Sequence, residues 1–120
     1  MGFASGEGSM VARPGPMRGG IYMVNLDPTM GHEMRGRHPA LVVSADSYNN
    51  KVGMALICPI TSKRKGYPFE VVCDTKNVSG VILVDQIRAL DWKVRKFERI
   101  DALSMVTFAE VQAKLMTLIE

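Results

Sequence analysis

The chain has 120 residues, of which 47% are hydrophobic and 22% are charged. This length and composition fit one domain with a single modest core and exclude a multidomain architecture, and the apolar runs are far too short for a helix that spans a membrane. The formal net charge of +3 permits an anionic partner but does not require one.

The amino-terminal residues are interpreted separately from the rest. Residues 1–9 are small and polar and precede a second methionine, Met10, so we interpret them as an expression tag and residues 10–120 as one domain. The start of the chain lacks the basic and apolar segments of an export signal. Cys58 and Cys73 stand alone among apolar residues, as buried reduced thiols do, which favours a cytoplasmic protein.

Short apolar runs rich in β-formers alternate with polar or glycine-containing segments along most of the chain. The strands predicted from them, in chain order, are Ile21–Leu26, Ala40–Ser44, Met54–Ile60 with an end or bulge at Pro59, Pro68–Cys73, Val81–Val84 with an extension over Gln86–Leu90, and a short strand within Lys93–Ile100. Asp46–Lys51 is predicted as a turn or a single helical turn. The polar stretch Asp27–Arg37 is predicted as a long loop, a common place for a functional site.

The period of the apolar residues changes at the end of the chain. Thr107–Glu110 matches a capping box, and apolar residues follow at helical spacing, which predicts a carboxy-terminal helix. The helical positions are Phe108, Val111, Leu115, Leu118 and Ile119. Many short strands, no internal repeat and one terminal amphipathic helix indicate a mainly β fold, a small and strongly bent barrel.

The positive charges are grouped, and this grouping says more about an anionic partner than the net charge does. The three basic clusters are Arg35 with Arg37, Lys63 with Arg64 and Lys65, and Lys93 with Arg95, Lys96 and Arg99. Each is a candidate phosphate contact, although a solvated loop tip is the usual role of a run such as residues 63–65. The histidines and cysteines are dispersed and lack metal-binding spacing, so we expect neither a metal nor another cofactor.

Four stretches in one order cover most of the chain from Gly20 to Leu90 and together resemble the MazF/PemK (Kid) family of toxins, most closely its MazF branch. They are Val24–Glu33, His38–Ser44, Tyr48–Met54 with Pro59–Ser62, and Lys65–Val71 leading to Asp85–Arg88. The resemblance implies an SH3-like small barrel with a carboxy-terminal helix, a fold shared with the CcdB gyrase poisons.

The resemblance also implies the activity and the partners. Members of the family are toxins of type II toxin–antitoxin systems that cut single-stranded RNA without a metal, using its 2′-hydroxyl and leaving a 2′,3′-cyclic phosphate and a 5′-hydroxyl. It further implies a homodimer whose RNA site spans both subunits, a MazE-like antitoxin, and binding to operator DNA only as the toxin–antitoxin complex. A CcdB-like gyrase poison and an antitoxin-dependent DNA-binding corepressor are the non-catalytic alternatives.

Such cleavage needs a proton acceptor, a proton donor and groups that stabilise the charge on phosphorus. The catalytic candidates are Arg37, Thr61, Glu33, His38, His32 and Asp85. By the family pattern, His32 and Glu33 match a His-Glu pair, Thr61 matches a threonine that stabilises the transition state, and Asp85 matches a base of the Kid branch. Four of them also have a structural alternative. His32 could bond within its own turn, and Glu33 could be a solvated surface carboxylate. Thr61 could be an ordinary β-former, and Asp85 could cap a turn.

The sequence departs from the family pattern at two positions. Many relatives have arginine immediately before the proline of the second strand, where this chain has His38, with Arg37 one residue earlier. We expect Arg37→Ala to reduce cleavage severely and His38→Ala to reduce it less. Leu83 stands where the Kid branch has a catalytic arginine, which weakens the assignment of Asp85.

A second set of residues, taken from the matching stretches and the basic clusters, is predicted to contact RNA. It consists of Arg35, Asn49, Asn50, Lys51, Ser62, Lys63, Lys65, Tyr67 and Gln86. Tyr48, Tyr67 and Trp92 could stack on bases, but core or dimer packing is the better interpretation of Trp92.

Overall fold

The structure is a computed structural model that describes residues 14–26 and 36–120. Within these residues the chain forms seven strands and two helices. They are β1 (Gly20–Asn25), β2 (Arg37–Val42), α1 (Asp46–Val52), β3 (Met54–Thr61), β4 (Glu70–Asp74), β5 (Ser79–Leu83), β6 (Arg88–Asp91), β7 (Glu98–Ala102) and α2 (Met105–Ile119), with a 3₁₀ turn (Val84–Gln86) between β5 and β6. The prediction of a mainly β fold with a carboxy-terminal helix is confirmed.

The strands form one curled antiparallel sheet in the order β4-β5-β3-β2-β1-β7, with β6 paired to β3. Strand β3 changes partner along its length, because Met54–Ile57 pairs with β6 whereas Ile60 and Thr61 pair with β5. The strand continues through Pro59, where an end or bulge was predicted, and Pro59 pairs with Ala40 of β2. The change of partner therefore occurs at a residue that has no backbone N–H to donate.

Both faces of the central strands of the curled sheet are buried, whereas the edge strands β4 and β7 are partly exposed. Because successive side chains of a strand point to opposite faces, neighbours such as Ile21 and Tyr22 enter different cores. One core lies against α2, from which Val111 is fully buried and Phe108 and Leu115 pack alongside. Two-sided burial explains why the strands have nearly continuous apolar runs instead of strict alternation. Cys58 and Cys73 are buried free thiols, as predicted.

Two element boundaries differ from the sequence prediction because polar side chains bond to nearby backbone. Helix α2 begins at Met105 and not at Thr107, since the Ser104 hydroxyl accepts from the backbone N–H of Thr107 and caps the helix. The predicted strand within Lys93–Ile100 is a turn over residues 92–96 followed by β7. Asp91 Oδ1 accepts from the backbone N–H groups that follow it and so forms the turn.

The segment Asp46–Lys51, predicted as a turn or a single helical turn, is the seven-residue helix α1. Gly53 ends it in the left-handed conformation at φ +77° and donates its N–H to the Asn49 carbonyl. Of the helices in the described residues, none is long and apolar enough to cross a membrane.

Substitution of Gly80 tests how closely β5 approaches the end of β3. A Cβ at this position would lie 2.3 Å from the Thr61 carbonyl oxygen. Because that neighbour is backbone, Gly80→Ala is expected to lower the free energy of unfolding by about 1–3 kcal/mol. Urea denaturation measures the change. The control is Ser79→Ala, a substitution of the neighbouring exposed residue. Equal midpoints for the two variants would contradict this close packing.

Candidate active site

A cleft of about 610 Å³ lies at the end of β3. Its lining comprises His38, Thr61, Lys63, Lys65, Tyr67, Glu70, Leu83 and Gln86. Six of these eight residues were predicted from the sequence as catalytic or RNA-contacting. A smaller depression of about 360 Å³ shares the first three of them and adds Ser62, another predicted RNA contact.

Two strand ends supply the polar floor of the cleft. Thr61 is the last residue of β3, and its Oγ1 accepts a hydrogen bond of 3.2 Å from the backbone N–H of Lys63. His38 is the second residue of β2, opposite Val24 of β1 and directly before Pro39. A hydroxyl that accepts from a backbone N–H keeps its own proton to donate. The floor therefore combines a hydroxyl donor with an imidazole that can give or take a proton.

The basic loop beside the cleft, residues 63–67, is folded around the carboxylate of Glu70. The carboxylate accepts from the backbone N–H of Lys65 at 3.0 Å, of Gly66 at 3.1 Å and of Tyr67 at 3.4 Å. Gly66 has a φ of +74°, the left-handed region that glycine adopts without strain. Desolvation alone would raise the pKa of Glu70, but these hydrogen bonds and the charge of Arg64 lower it below its usual value. Glu70 is therefore ionised at neutral pH.

Asp85 lies in the 3₁₀ turn and holds Tyr67. The Tyr67 hydroxyl donates to Asp85 Oδ2. This bond, partial burial and the charges of Asp85 and Glu70 raise the pKa of Tyr67, so the phenol stays protonated at neutral pH. Tyr67 lines the cleft, whereas Asp85 is exposed and is not part of the lining.

Arg37 lies on the other face of the sheet from His38, as neighbours on a strand must. Its guanidinium is 3.6 Å from the carboxylate of Glu98 and donates to the Met23 carbonyl at 3.2 Å. Arg37 lines a different and larger groove, of about 1240 Å³. That groove also contains the exposed predicted RNA contacts Asn50 and Lys51 and two members of a basic cluster, Lys93 and Lys96. The structure thus separates the predicted residues into two sites.

The prediction that Asn49 contacts RNA is wrong for its side chain, which is completely buried. Its amide donates to the Pro16 carbonyl at 2.8 Å and accepts from the Ser44 hydroxyl, and its backbone carbonyl accepts from Trp92 Nε1 at 2.8 Å. Asn49 therefore joins α1 to the amino-terminal segment and to the turn after β6. Trp92 is buried, which confirms core packing for this residue.

The remaining predicted residues, His32, Glu33 and Arg35, lie outside the described residues, so their roles stay predictions. Sequence reasoning missed the part played by Glu70. The available signal was a carboxylate three to five residues after a Lys-Gly-Tyr segment, a spacing that lets a side chain reach the N–H groups of a preceding turn.

The burial of Asn49 leads to a stability prediction. Asn49→Ala leaves the Ser44 hydroxyl and the Pro16 carbonyl without their partner, so the free energy of unfolding should fall by about 2–4 kcal/mol. The exposed neighbour provides the matched control, and Asn50→Ala should cost about 1 kcal/mol or less. Denaturant unfolding measures both. Equal effects from the two variants would mean that the buried Asn49 amide stabilises the fold no more than the exposed Asn50 amide does.

The sequence is similar to one family of known proteins over most of its length. The model of the PemK-like, MazF-like toxins of type II toxin–antitoxin systems matches residues 17–119. The endoribonuclease toxin MazF of Escherichia coli K12 is 40% identical over 110 residues, which cover 92% of this chain and 99% of that protein. The endoribonuclease toxin ChpB of the same strain is 35% identical over 109 residues, 86% of this chain and 93% of its own.

Solved structures give the same result for the fold. A crystal structure of MazF from Deinococcus radiodurans (Form-I) superposes with a TM-score of 0.83 at 43% identity, covering 88% of this chain and 96% of that chain. A MazE–MazF structure (Form-II) from the same organism gives a TM-score of 0.77 at 40% identity, covering 88% of this chain and 95% of that chain.

Proposed function

Since the chain belongs to the PemK-like, MazF-like family of toxins of type II toxin–antitoxin systems, we propose that it is an endoribonuclease that cuts single-stranded RNA in the cleft at the end of β3. The observation that carries the proposal is the convergence of His38, Thr61, Lys63 and Lys65 on one cleft. Proton transfer, hydrogen-bond donation and positive charge are the three requirements of phosphodiester cleavage, and this lining supplies all of them.

The proposed reaction uses the nucleophile already present in RNA. The 2′-oxygen attacks the adjacent phosphorus as it loses its proton, the bond from phosphorus to the 5′-oxygen breaks, and that oxygen takes up a proton. The products are a 2′,3′-cyclic phosphate and a 5′-hydroxyl. The 2′-hydroxyl needs a base and the 5′-oxygen needs an acid, and no bound water or metal is required as the attacking group.

Each residue of the cleft has a role that its geometry permits. The Thr61 hydroxyl donates to a non-bridging phosphate oxygen, because its acceptor side is already taken by the Lys63 N–H. The ammonium groups of Lys63 and Lys65 attract the phosphates. The neutral ring of Tyr67 offers a surface on which a base can stack, and the Gln86 amide can bond to a base edge. Glu33 remains the candidate for the second proton-transfer group.

The geometry favours His38 over Arg37 as the residue beside the scissile phosphate. His38 shares the cleft with Thr61, whereas Arg37 faces the larger groove and is paired with Glu98. This reverses the order expected from the sequence. His38 also occupies the position before proline that holds arginine in many relatives. A role that both side chains can fill is that of a cation stabilising the phosphorane, since arginine does not act as a base.

Cleavage of a defined single-stranded RNA in the presence of EDTA tests these assignments. His38→Ala should lower the rate by about 10²–10⁴ and Thr61→Ala by about 10²–10³, whereas Arg37→Ala should stay within about threefold of wild type. Failure of the wild-type protein to cut RNA in many sequence contexts would refute the nuclease proposal. Equal losses of rate in Arg37→Ala and His38→Ala would refute only the proposal that His38 contributes more to cleavage than Arg37 does.

The proposed cation role of His38 also predicts the effect of replacing it with arginine. Arginine is a permanent cation and occupies this position in many relatives, so His38→Arg should retain cleavage that His38→Ala loses. Initial rates of the three proteins on one RNA measure this. A loss in His38→Arg as large as that in His38→Ala would show that a positive charge at this position is not sufficient.

The partners follow from the same assignment. We expect a homodimer in the cytoplasm, and a MazE-like antitoxin whose acidic disordered segment occupies the basic cleft, as complexes of MazE with MazF are known in a similar protein. Binding of operator DNA is expected only for the toxin–antitoxin complex. A non-catalytic function, as a CcdB-like gyrase poison or an antitoxin-dependent DNA-binding corepressor, is disfavoured, because the similar curated proteins are named endoribonucleases.

Occupation of the cleft by the antitoxin can be tested by RNA binding. An uncleavable RNA should bind the free toxin and be released as the antitoxin reaches saturation, because charge and space are both taken. Fluorescence anisotropy of a labelled RNA follows the release. Full RNA binding in the saturated complex would contradict a shared site.

A further inference from the structure

We propose that Glu70 and Asp85 form a carboxylate clamp that positions the loop of residues 63–67 at the RNA cleft, and that neither carboxylate transfers a proton in the reaction. The proposal rests on the proposed function for its RNA site. It adds a positioning role for Glu70 and changes the role of Asp85, which the sequence pattern matches to a catalytic base.

Glu70 provides the first half of the clamp. Three consecutive backbone N–H groups, those of Lys65, Gly66 and Tyr67, converge on its carboxylate at 3.0–3.4 Å. A concave row of N–H groups around a left-handed residue is an arrangement that binds anions such as phosphate. Here a side chain of the same chain fills it. The loop backbone is therefore already occupied, and the phosphates of RNA are left to the side chains of Lys63 and Lys65.

Asp85, in the 3₁₀ turn, provides the second half. Its carboxylate accepts from the Tyr67 hydroxyl, and Tyr67 lines the cleft whereas Asp85 does not. The Tyr67 ring also contacts Phe69, with centroids 6.1 Å apart. Lys114 of α2 donates to the Pro68 carbonyl at 2.6 Å and fixes the next residue of the chain. Strand β4 through Glu70, the 3₁₀ turn through Asp85 and helix α2 through Lys114 thus hold this loop and the residue that follows it.

The charges explain why this loop needs a clamp. Lys63, Arg64 and Lys65 are consecutive and exposed, and like charges at adjacent positions repel one another. The ionised carboxylate of Glu70 offsets part of this repulsion, and its hydrogen bonds fix the backbone from which the side chains project. The clamp thereby supplies a fixed set of cations in advance of binding, which lowers the entropy that RNA binding must overcome.

A pH titration observed by NMR tests the clamp without any RNA. In ¹⁵N-labelled protein, the amide protons of Lys65, Gly66 and Tyr67 should shift together, with one midpoint below the usual range of a glutamate carboxyl. Glu70→Gln should abolish that common transition. Asp74 is an exposed carboxylate on the same strand, and the control substitution Asp74→Asn should leave the common transition unchanged. Separate midpoints, or a common transition that survives in Glu70→Gln, would overturn the role of Glu70.

Steady-state cleavage then separates positioning from catalysis. Glu70→Gln should raise KM about tenfold and leave kcat within about twofold, because a disordered loop weakens binding more than the chemical step. Asp74→Asn should change neither constant. A fall in kcat of about 10² or more in Glu70→Gln at unchanged KM would mean that Glu70 acts in proton transfer.

A double-mutant cycle gives the corresponding test for Asp85. If Asp85 acts through the Tyr67 hydroxyl, Asp85→Asn and Tyr67→Phe should have equal effects, and the double variant should be no worse than either single one. If Asp85 were a base, Asp85→Asn would lower kcat by about 10² or more in the Tyr67→Phe background as well, which would overturn the proposal. Absence of cleavage by the wild-type protein would refute the proposed function, and the NMR titration would still test the clamp.

Discussion

The fold depends on the change of hydrogen-bond partner along β3. The strand pairs with β6 at its start and with β5 at its end, and β2 pairs with its middle. This shared strand makes one curled sheet from what would otherwise be two, and it leaves Thr61 at the point where three strands come together. Gly80 permits the approach, because any side chain there would meet the Thr61 carbonyl. The cleft is a direct result of this junction.

The cleft combines rigid strand ends with a loop that has little regular structure. Thr61 and His38 are fixed by pairing within the sheet, whereas the basic side chains project from residues 63–67. A loop of this charge would be a poor platform by itself, since its backbone N–H groups have no partners in a strand or helix. Hydrogen bonds to Glu70 satisfy them and let a loop contribute to a site with the order of a strand.

Most strands could be predicted because the central strands are buried on both faces and have nearly continuous apolar runs. The errors arise where a polar side chain bonds to the backbone a few residues away, as Ser104 and Asp91 do, since such bonds leave no periodic signal. Of the site, the residue types could be predicted, but their grouping could not. The inward direction of the Asn49 side chain depends on the Pro16 carbonyl, which lies 33 residues away along the chain. The opposite faces of Arg37 and His38 follow from strand alternation alone.

That alternation constrains how the pair could change during evolution. Codons for arginine and histidine can differ by one base, so either position can be converted by a single mutation, but exchanging the order takes two. The intermediate would have Arg-Arg or His-His, and therefore the same side chain on both faces of β2. With Arg-Arg, the cleft would hold a permanent cation while the Glu98 pair persists; with His-His, that pair would become dependent on pH. Only the Arg-Arg intermediate therefore has a permanent positive charge on both faces of β2.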